Sequence, residues 1–221
     1  MKRSIIITGS SKGLGEALVA KLLLDKKNIL LAVSRELSVK QLEYTISEFS
    51  HLKHDLSNIN LDPIFEFISN KIDTEEVIFI NNASQISPIN TIGNFNNDEI
   101  EKIICLNVIT PIKIINFLLH KYGHNKLTFL NISSGAASHA ISGWSLYCST
   151  KSSIKMFFEV AEKDYEQHTF YNIDPGVIDT AMQNIIRNSA FQKQQDFIHF
   201  KTSGVLQTPE EVALRIIKNY L

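Results

Sequence analysis

Five short runs of this chain, at positions 4–8, 29–34, 77–81, 127–133 and 170–174, carry apolar residues on both of their faces. A strand with one face in water alternates apolar and polar side chains, whereas a strand without that alternation must be covered above and below. The stretches between these runs have helical period. Strand and helix taken in turn imply parallel strands joined by right-handed crossovers, with helices on both faces of one sheet. A weaker run near His51–His54 supplies a further strand. The expected fold is α/β, a doubly wound parallel sheet of about six strands.

Helices are expected at 14–25, after an N-cap at Ser38 through Leu42, Ile46 and Phe49, over 97–122 and over 144–168. Pro111 falls inside the third of these and should bend it or sit in a weakened turn. Beyond Pro175-Gly176 a less regular stretch runs to Gly204, and Pro209-Glu210-Glu211 opens a last helix. No repeat or flexible linker interrupts the 221 residues, so one domain over 1–221 is expected. A net charge of -1 gives no polycationic footprint for nucleic acid. The two cysteines, Cys105 and Cys148, form no CxxC pair, which fits a reducing, cytoplasmic setting. The first apolar run is too short for a signal segment, and no segment reads as long enough to span a bilayer, so no membrane partner is expected. The pairs His51/His54 and His120/His124 lack a completing carboxylate or cysteine, so no metal site is expected.

Between the first strand and first helix lies Thr8-Gly9-Ser10-Ser11-Lys12-Gly13-Leu14-Gly15. Backbone without Cβ lets a pyrophosphate approach N–H groups, and the helix N-terminus behind it adds partial positive charge. Tyr147 and Lys151, four apart, share a helix face. A free phenol ionises near ~10, and a neighbouring ammonium should lower that value and make Tyr147 a usable acid–base group. Arg35, after the second strand, and Lys12 are two cations suited to a ribose 2′-phosphate, whereas NAD enzymes of this architecture place an acid there.

The spacing TGxxxGxG resembles that of the short-chain dehydrogenase/reductase family, and further marks follow in order. They are Asp55-Leu56, Asn81-Asn82-Ala83, Asn107, Ser134 placed 13 residues before Tyr147, Lys151, and Pro175-Gly176-Val177-Ile178-Asp179-Thr180. The resemblance covers nearly the whole chain. It implies a Rossmann-type sheet in the order 3-2-1-4-5-6 that binds NADP(H) in preference to NAD. Within the family, Gly9, Ser11, Lys12, Gly13, Leu14, Gly15, Ser34, Arg35, Asp55, Leu56, Asn82, Ala83, Tyr147, Lys151, Pro175, Gly176, Ile178 and Thr180 would hold the cofactor. Tyr147 would protonate a carbonyl oxygen held by Ser134, and Asn107 would support Lys151 through a water.

The stretches around Trp144 and Met182 resemble the sepiapterin reductase branch and its bacterial benzil reductase relatives, which reduce one carbonyl of a vicinal diketone or similar ketone. Trp144 and Met182 would line the substrate pocket beneath a lid near 181–205, joined by Phe191, Phe197 and Phe200. Thr208 stands near the place where animal pterin reductases carry an acid, so pterin reduction is not implied. The family also implies a homodimer or homotetramer built on the two long helices. Two departures stand out. Ser84 replaces a usual glycine and should crowd the cofactor or shift its loop, and the chain ends before a seventh strand. Rival readings are a dinucleotide-binding regulator without turnover and an NAD-dependent alcohol dehydrogenase.

Overall fold

The computed structural model describes residues 2–44 and 46–221. Six parallel strands form one sheet in the order β3-β2-β1-β4-β5-β6. They are β1 (Arg3–Thr8), β2 (Asn28–Ser34), β3 (Phe49–Lys53), β4 (Glu76–Asn81), β5 (Lys126–Ile132) and β6 (Thr169–Ile173). The helices are α1 (Gly13–Leu22), α2 (Asp62–Ser69), α3 (Asn97–Ile104), α4 (Thr110–Tyr122), α5 (Ser145–Asp164), α6 (Ala181–Arg187), α7 (Gln194–Thr202) and α8 (Pro209–Tyr220).

The two-sided apolar runs are used as expected. Along β1, Ile6 joins a buried cluster with α2, α4 and α5, while Ile5 and Ile7 point the other way into a cluster with α1 and α8. Both faces of the sheet are therefore dry, and the strand ends are the places left open for a ligand. At that open end an asparagine ladder crosses three strands in register. Asn81 donates to Asn131 at 3.0 Å, Asn131 to Asn172 at 2.8 Å, and Asn172 to the Lys155 carbonyl at 3.2 Å. Asn131 and Asn172 each both accept and donate, so the ladder supplies partners for polar groups at the strand ends.

Three expectations need correcting. The helix expected through Leu42, Ile46 and Phe49 does not form; it crosses Thr45, which lies outside the described residues. Before that position only a 3-10 turn, Gln41–Glu43, is present, and Phe49 opens β3. Leu42 and Ile46 are largely exposed, so the apolar period had no surface to bury against. Secondly, the stretch 181–205 is more regular than expected, holding α6 and α7. Thirdly, Asn97–Tyr122, 26 residues, is long and apolar enough by composition to cross a bilayer. Its Ile114, Ile115 and Leu118 are buried in the core beneath the sheet, the use a core helix makes of such a composition.

The same stretch is not one regular helix. Between α3 and α4, residues Cys105–Ile109 form a wide π-turn, and Pro111 follows in the first turn of α4. Proline has no N–H to return to the carbonyl four residues back, so the regular ladder fails here and the turn widens. Asn107 lies in that widened turn.

Candidate active site

The glycine turn is pinned from across the sheet. Asn82 donates through its side-chain amide to the Thr8 and Gly9 carbonyls, both at 3.0 Å. The Thr8 hydroxyl accepts from the Asn82 and Ala83 N–H groups at 3.2 and 3.1 Å. Gly9 has φ +66°, and a Cβ there would lie 2.8 Å from the Ala83 Cα. A Cβ on Gly15 would lie 2.1 Å from the Gly9 carbonyl oxygen. Both positions thus demand glycine for backbone reasons. Asn82 and Ala83 support the turn, while Thr8, absent from the candidate set although it leads the TGxxxGxG pattern, is the keystone.

No side chain caps α1 at Lys12, so its first-turn N–H groups, around Gly13, Leu14 and Gly15, remain available to an anion. Ser11 and Lys12 stand at the rim of this turn. Thr180 faces it, its methyl group 3.1 Å from where a Gly13 Cβ would be. The segment from Pro175 through Gly176 and Ile178 to Thr180 therefore reaches back to the phosphate turn. Gly176 turns with φ +76° and donates its N–H to Asp174 at 3.0 Å. Arg215 on α8 donates to the Pro175 carbonyl at 2.7 Å, and Ile178 bridges to Gln207.

At the end of β2 the Ser34 hydroxyl donates to the Glu36 carbonyl at 2.7 Å and lies 2.9 Å from the His51 ring. Lys12 pairs with Glu36 at 2.8 Å, both well exposed, and this ammonium holds the Glu36 carboxyl below its usual range. Arg35 makes no ion pair among the described residues. Asp55 accepts from the Ser57 N–H and hydroxyl at 3.0 and 2.8 Å, a local turn that holds its carboxyl low. The Leu56 carbonyl accepts from Thr110 at 2.7 Å.

Tyr147 and Lys151 stand on one face of α5, buried to 5% and 4% exposure. Ser134 follows β5, and its oxygen accepts from the Ala136 N–H at 3.2 Å, which leaves its own proton free. The Ser134 and Ser84 hydroxyls both pull the ionisation of the Tyr147 phenol down. The expected acidification of Tyr147 is not what the structure shows. Burial pushes the phenol up to about 12, against the pull of those two hydroxyls. The Lys151 ammonium donates to the Ile132 carbonyl at 2.8 Å and lies 5.7 Å from the Tyr147 ring centre. Burial pushes this ammonium down to about 8, with Asp174 opposing.

Asn107 does not touch Lys151. Its side chain accepts from the Gln85 N–H at 2.9 Å and the Ser84 hydroxyl at 3.4 Å, and donates to the Gln85 carbonyl at 2.9 Å and Thr150 at 3.1 Å. Asp174, exposed just beyond β6, was not singled out from sequence although its charge reaches both Tyr147 and Lys151. The signal was a lone acid directly before Pro175-Gly176.

Beside the phenol is an aromatic box. Trp144 meets Tyr147 edge-on at 5.8 Å and contacts Phe191 and Phe197 at 5.8 and 5.3 Å, with Phe200 next to Phe197 at 5.6 Å. Met182 and Ile186 from α6 complete it, so α6 and α7 lie over Tyr147 as a cover. The Trp144 ring N–H is buried without a partner.

These features fit a dinucleotide. The glycine turn offers uncapped N–H groups beside a backbone no side chain can crowd. The buried Lys151 uses one of its three donors on Ile132, leaving two for hydroxyl oxygens. No group of three or more metal-ligating side chains occurs among the described residues.

Residues 3–190 match the family model described as short chain dehydrogenase. The benzil reductase ((S)-benzoin forming) of Bacillus subtilis (strain 168) is 34% identical over 226 residues, covering 94% of this chain and 89% of the relative. The sepiapterin reductase of Rattus norvegicus is more distant, 26% identical over 208 residues, covering 86% of this chain and 79% of the relative. Among solved structures, KRED1-Pglu superposes with a TM-score of 0.87 at 24% identity, covering 96% of this chain and 92% of that one.

Proposed function

The chain belongs to the short-chain dehydrogenase family and is an NAD(P)-dependent oxidoreductase, and from that premise we propose that it is an NADPH-dependent carbonyl reductase acting on a vicinal diketone or similar activated ketone. One observation carries this reading. Tyr147 and Lys151, both buried on one face of α5, stand beside an aromatic box built on Trp144. Gly9, Ser11, Gly13, Leu14, Gly15, Asp55, Leu56, Ile178 and Thr180 would hold the dinucleotide, with Lys12 and Arg35 towards a 2′-phosphate. Bound there, the reduced nicotinamide supplies the hydride.

The chain's own groups handle orientation and the proton. Ser134 donates its free O–H to the carbonyl oxygen and fixes the ketone against Tyr147. Tyr147 breaks its O–H bond and delivers that proton to the same oxygen, so the product leaves as the alcohol. Lys151 offers its two remaining N–H groups to ribose hydroxyls and keeps positive charge near the phenolate left behind. Trp144, Met182, Phe191 and Phe197 exclude water and present flat apolar walls to the substrate.

Oxidation of NADPH with a panel of diketones, quinones and pterins tests the reading. Consumption with a vicinal diketone is expected, and no acceleration by any carbonyl compound would end it. The NAD-dependent alternative draws on the Lys12–Glu36 pair, which neutralises one of the two cations and sets a carboxylate beside the end of β2. Arg35→Asp is expected to weaken NADPH binding relative to NADH by about tenfold or more, because a guanidinium–phosphate pair becomes a repulsion. The coenzyme dissociation constants measure this, and an unchanged ratio removes Arg35 from the account.

The proposal includes a cytoplasmic homodimer or homotetramer. A groove of about 350 Å³ between α4 and α5, lined by Ile112, Leu119, Phe157 and Val160 together with Lys113, Asn116 and Asp164, offers a mixed apolar and polar seam for a second copy. Light scattering should give twice or four times the 25.0 kDa chain mass, and a monomer at micromolar concentration would refute it.

A further inference from the structure

The loop 175–180 begins in open space. Gly176 turns with φ +76°, and a Cβ built there would meet nothing within 4 Å. Beside it lies an open hollow of about 490 Å³, bordered by Asp174, Val177, Val205, Gln207 and Arg215. The start of the loop is held from α8. Pro175 is buried, has no N–H, and its carbonyl accepts from Arg215 Nη2 at 2.7 Å. Arg215 Nη1 donates to the Gln207 side-chain oxygen at 2.9 Å. Gln207 in turn pairs with the loop through its backbone, accepting from the Asp179 N–H at 2.9 Å and donating to the Val177 carbonyl at 3.2 Å. One planar guanidinium therefore ties both sides of this small bridge to α8.

Helix α8 is a firm anchor for such a tie. Its N-terminus is closed by reciprocal bonds between Thr208 and Glu211, at 3.2 and 2.8 Å. Val212, Ala213 and Ile216 are buried in the cluster that holds Leu14, Ala17 and Leu18 of α1. The carbonyl of Leu221, which ends the helix, accepts from Arg3 of β1 at 2.9 Å. β1 and α1 flank the glycine turn. Arg215 thus holds the loop to the frame that also carries the phosphate turn, whereas the Asp179 side chain pairs with Lys201 on the cover helix α7.

We propose that Arg215 is a positioning residue for the coenzyme, a clamp that sets the loop 175–180 at the distance from the glycine turn that the nicotinamide half of a dinucleotide requires. It acts through Pro175 and Gln207. The inference rests on the reading that this loop meets the nicotinamide half of NADPH. Releasing the clamp lets the loop fall back into the hollow about Gly176. The adenine half, bound at the glycine turn and the end of β2, is left as it was.

Hydrogen exchange on the protein without added ligand reads the clamp directly. Arg215→Met is expected to speed exchange in the peptide carrying residues 175–180 by about tenfold, with exchange in α8 unchanged. Titration with NADPH and with adenosine 2′,5′-bisphosphate, which has the adenine half and no nicotinamide, reads the consequence. The variant should weaken NADPH about tenfold and leave adenosine 2′,5′-bisphosphate within about twofold. Arg215→Lys keeps a cation able to reach the Pro175 carbonyl and should recover most of the NADPH affinity. If Arg215→Met does not fold, Arg215→Gln, too short to reach both acceptors, makes the same comparison. Loss of both ligands together would overturn the proposal, because a general support of the fold gives that result. Unchanged exchange and unchanged NADPH affinity, in a variant of a parent that binds both ligands, would end the inference alone. A parent that binds neither ligand ends the coenzyme reading and the inference that rests on it.

Discussion

Tyr147→Phe is expected to lower the rate of ketone reduction by about 10²- to 10⁴-fold while leaving the coenzyme bound and the fold intact. The change removes one hydroxyl and keeps the ring that Trp144 meets edge-on, so the aromatic box and α5 keep their packing. What is lost is the proton source. Burial has pushed this phenol up to about 12, which keeps it protonated across neutral pH, the state a donor must have. The wild-type reductive rate should therefore be flat through neutral pH and fall only in the alkaline range, while the reverse oxidation rises with pH. Steady-state rates, with coenzyme binding as the control for folding, measure the effect. Near-normal turnover in the Phe variant would show that Tyr147 is not the proton donor, whereas no turnover in the parent would favour a protein that senses the dinucleotide without reacting.

Lys151→Met should remove activity and add stability. Burial has lowered the ammonium from 10.5 to about 8. Below about pH 8 folded and unfolded chains both hold the proton, and the folded chain bears the whole desolvation cost, on the order of 3 kcal/mol for such a shift. Between about 8 and 10.5 the unfolded chain binds a proton that the folded chain has released, so stability rises with pH. Above 10.5 the penalty is gone. Methionine fills similar space without a charge but gives up the bond to the Ile132 carbonyl, worth about 1 kcal/mol. The net gain at pH 7 is about 1–2 kcal/mol, or a few degrees in Tm for a chain of this size. The gain should shrink as pH rises through that window. A Met variant less stable than the parent at pH 7 would show that Lys151 stabilises the fold rather than straining it.

The sheet was legible because each central strand is apolar on both faces, and only one arrangement covers both. The 38–49 segment misled because Leu42, Ile46 and Phe49 keep helical spacing, and spacing does not say whether a partner surface exists. Helix α2 escaped notice because its buried side, Ile64 and Ile68, is only two residues wide, although Pro63 in its first turn marks the start. In the site, the shared face of Tyr147 and Lys151 follows from helical pitch alone. The aim of the Lys151 ammonium does not, because it depends on a strand carbonyl distant in sequence. Ser84 is legible as a departure from pattern. Its bond to Asn107 follows only once the chain after β4 meets the π-turn.

The five residues from Cys105 to Ile109 make one turn of helix where fewer would serve. Each residue advances a helix by about 100°, so the buried side of α3, centred on Ile103, is set out of phase with that of α4. Deleting a single residue here would restore even pitch, yet it would wheel Ile103 towards water and carry Asn107 away from Gln85 and Thr150. The floor of the candidate site is thus held by a count of residues as much as by their identity. Length variation that a surface loop absorbs has no room at this place.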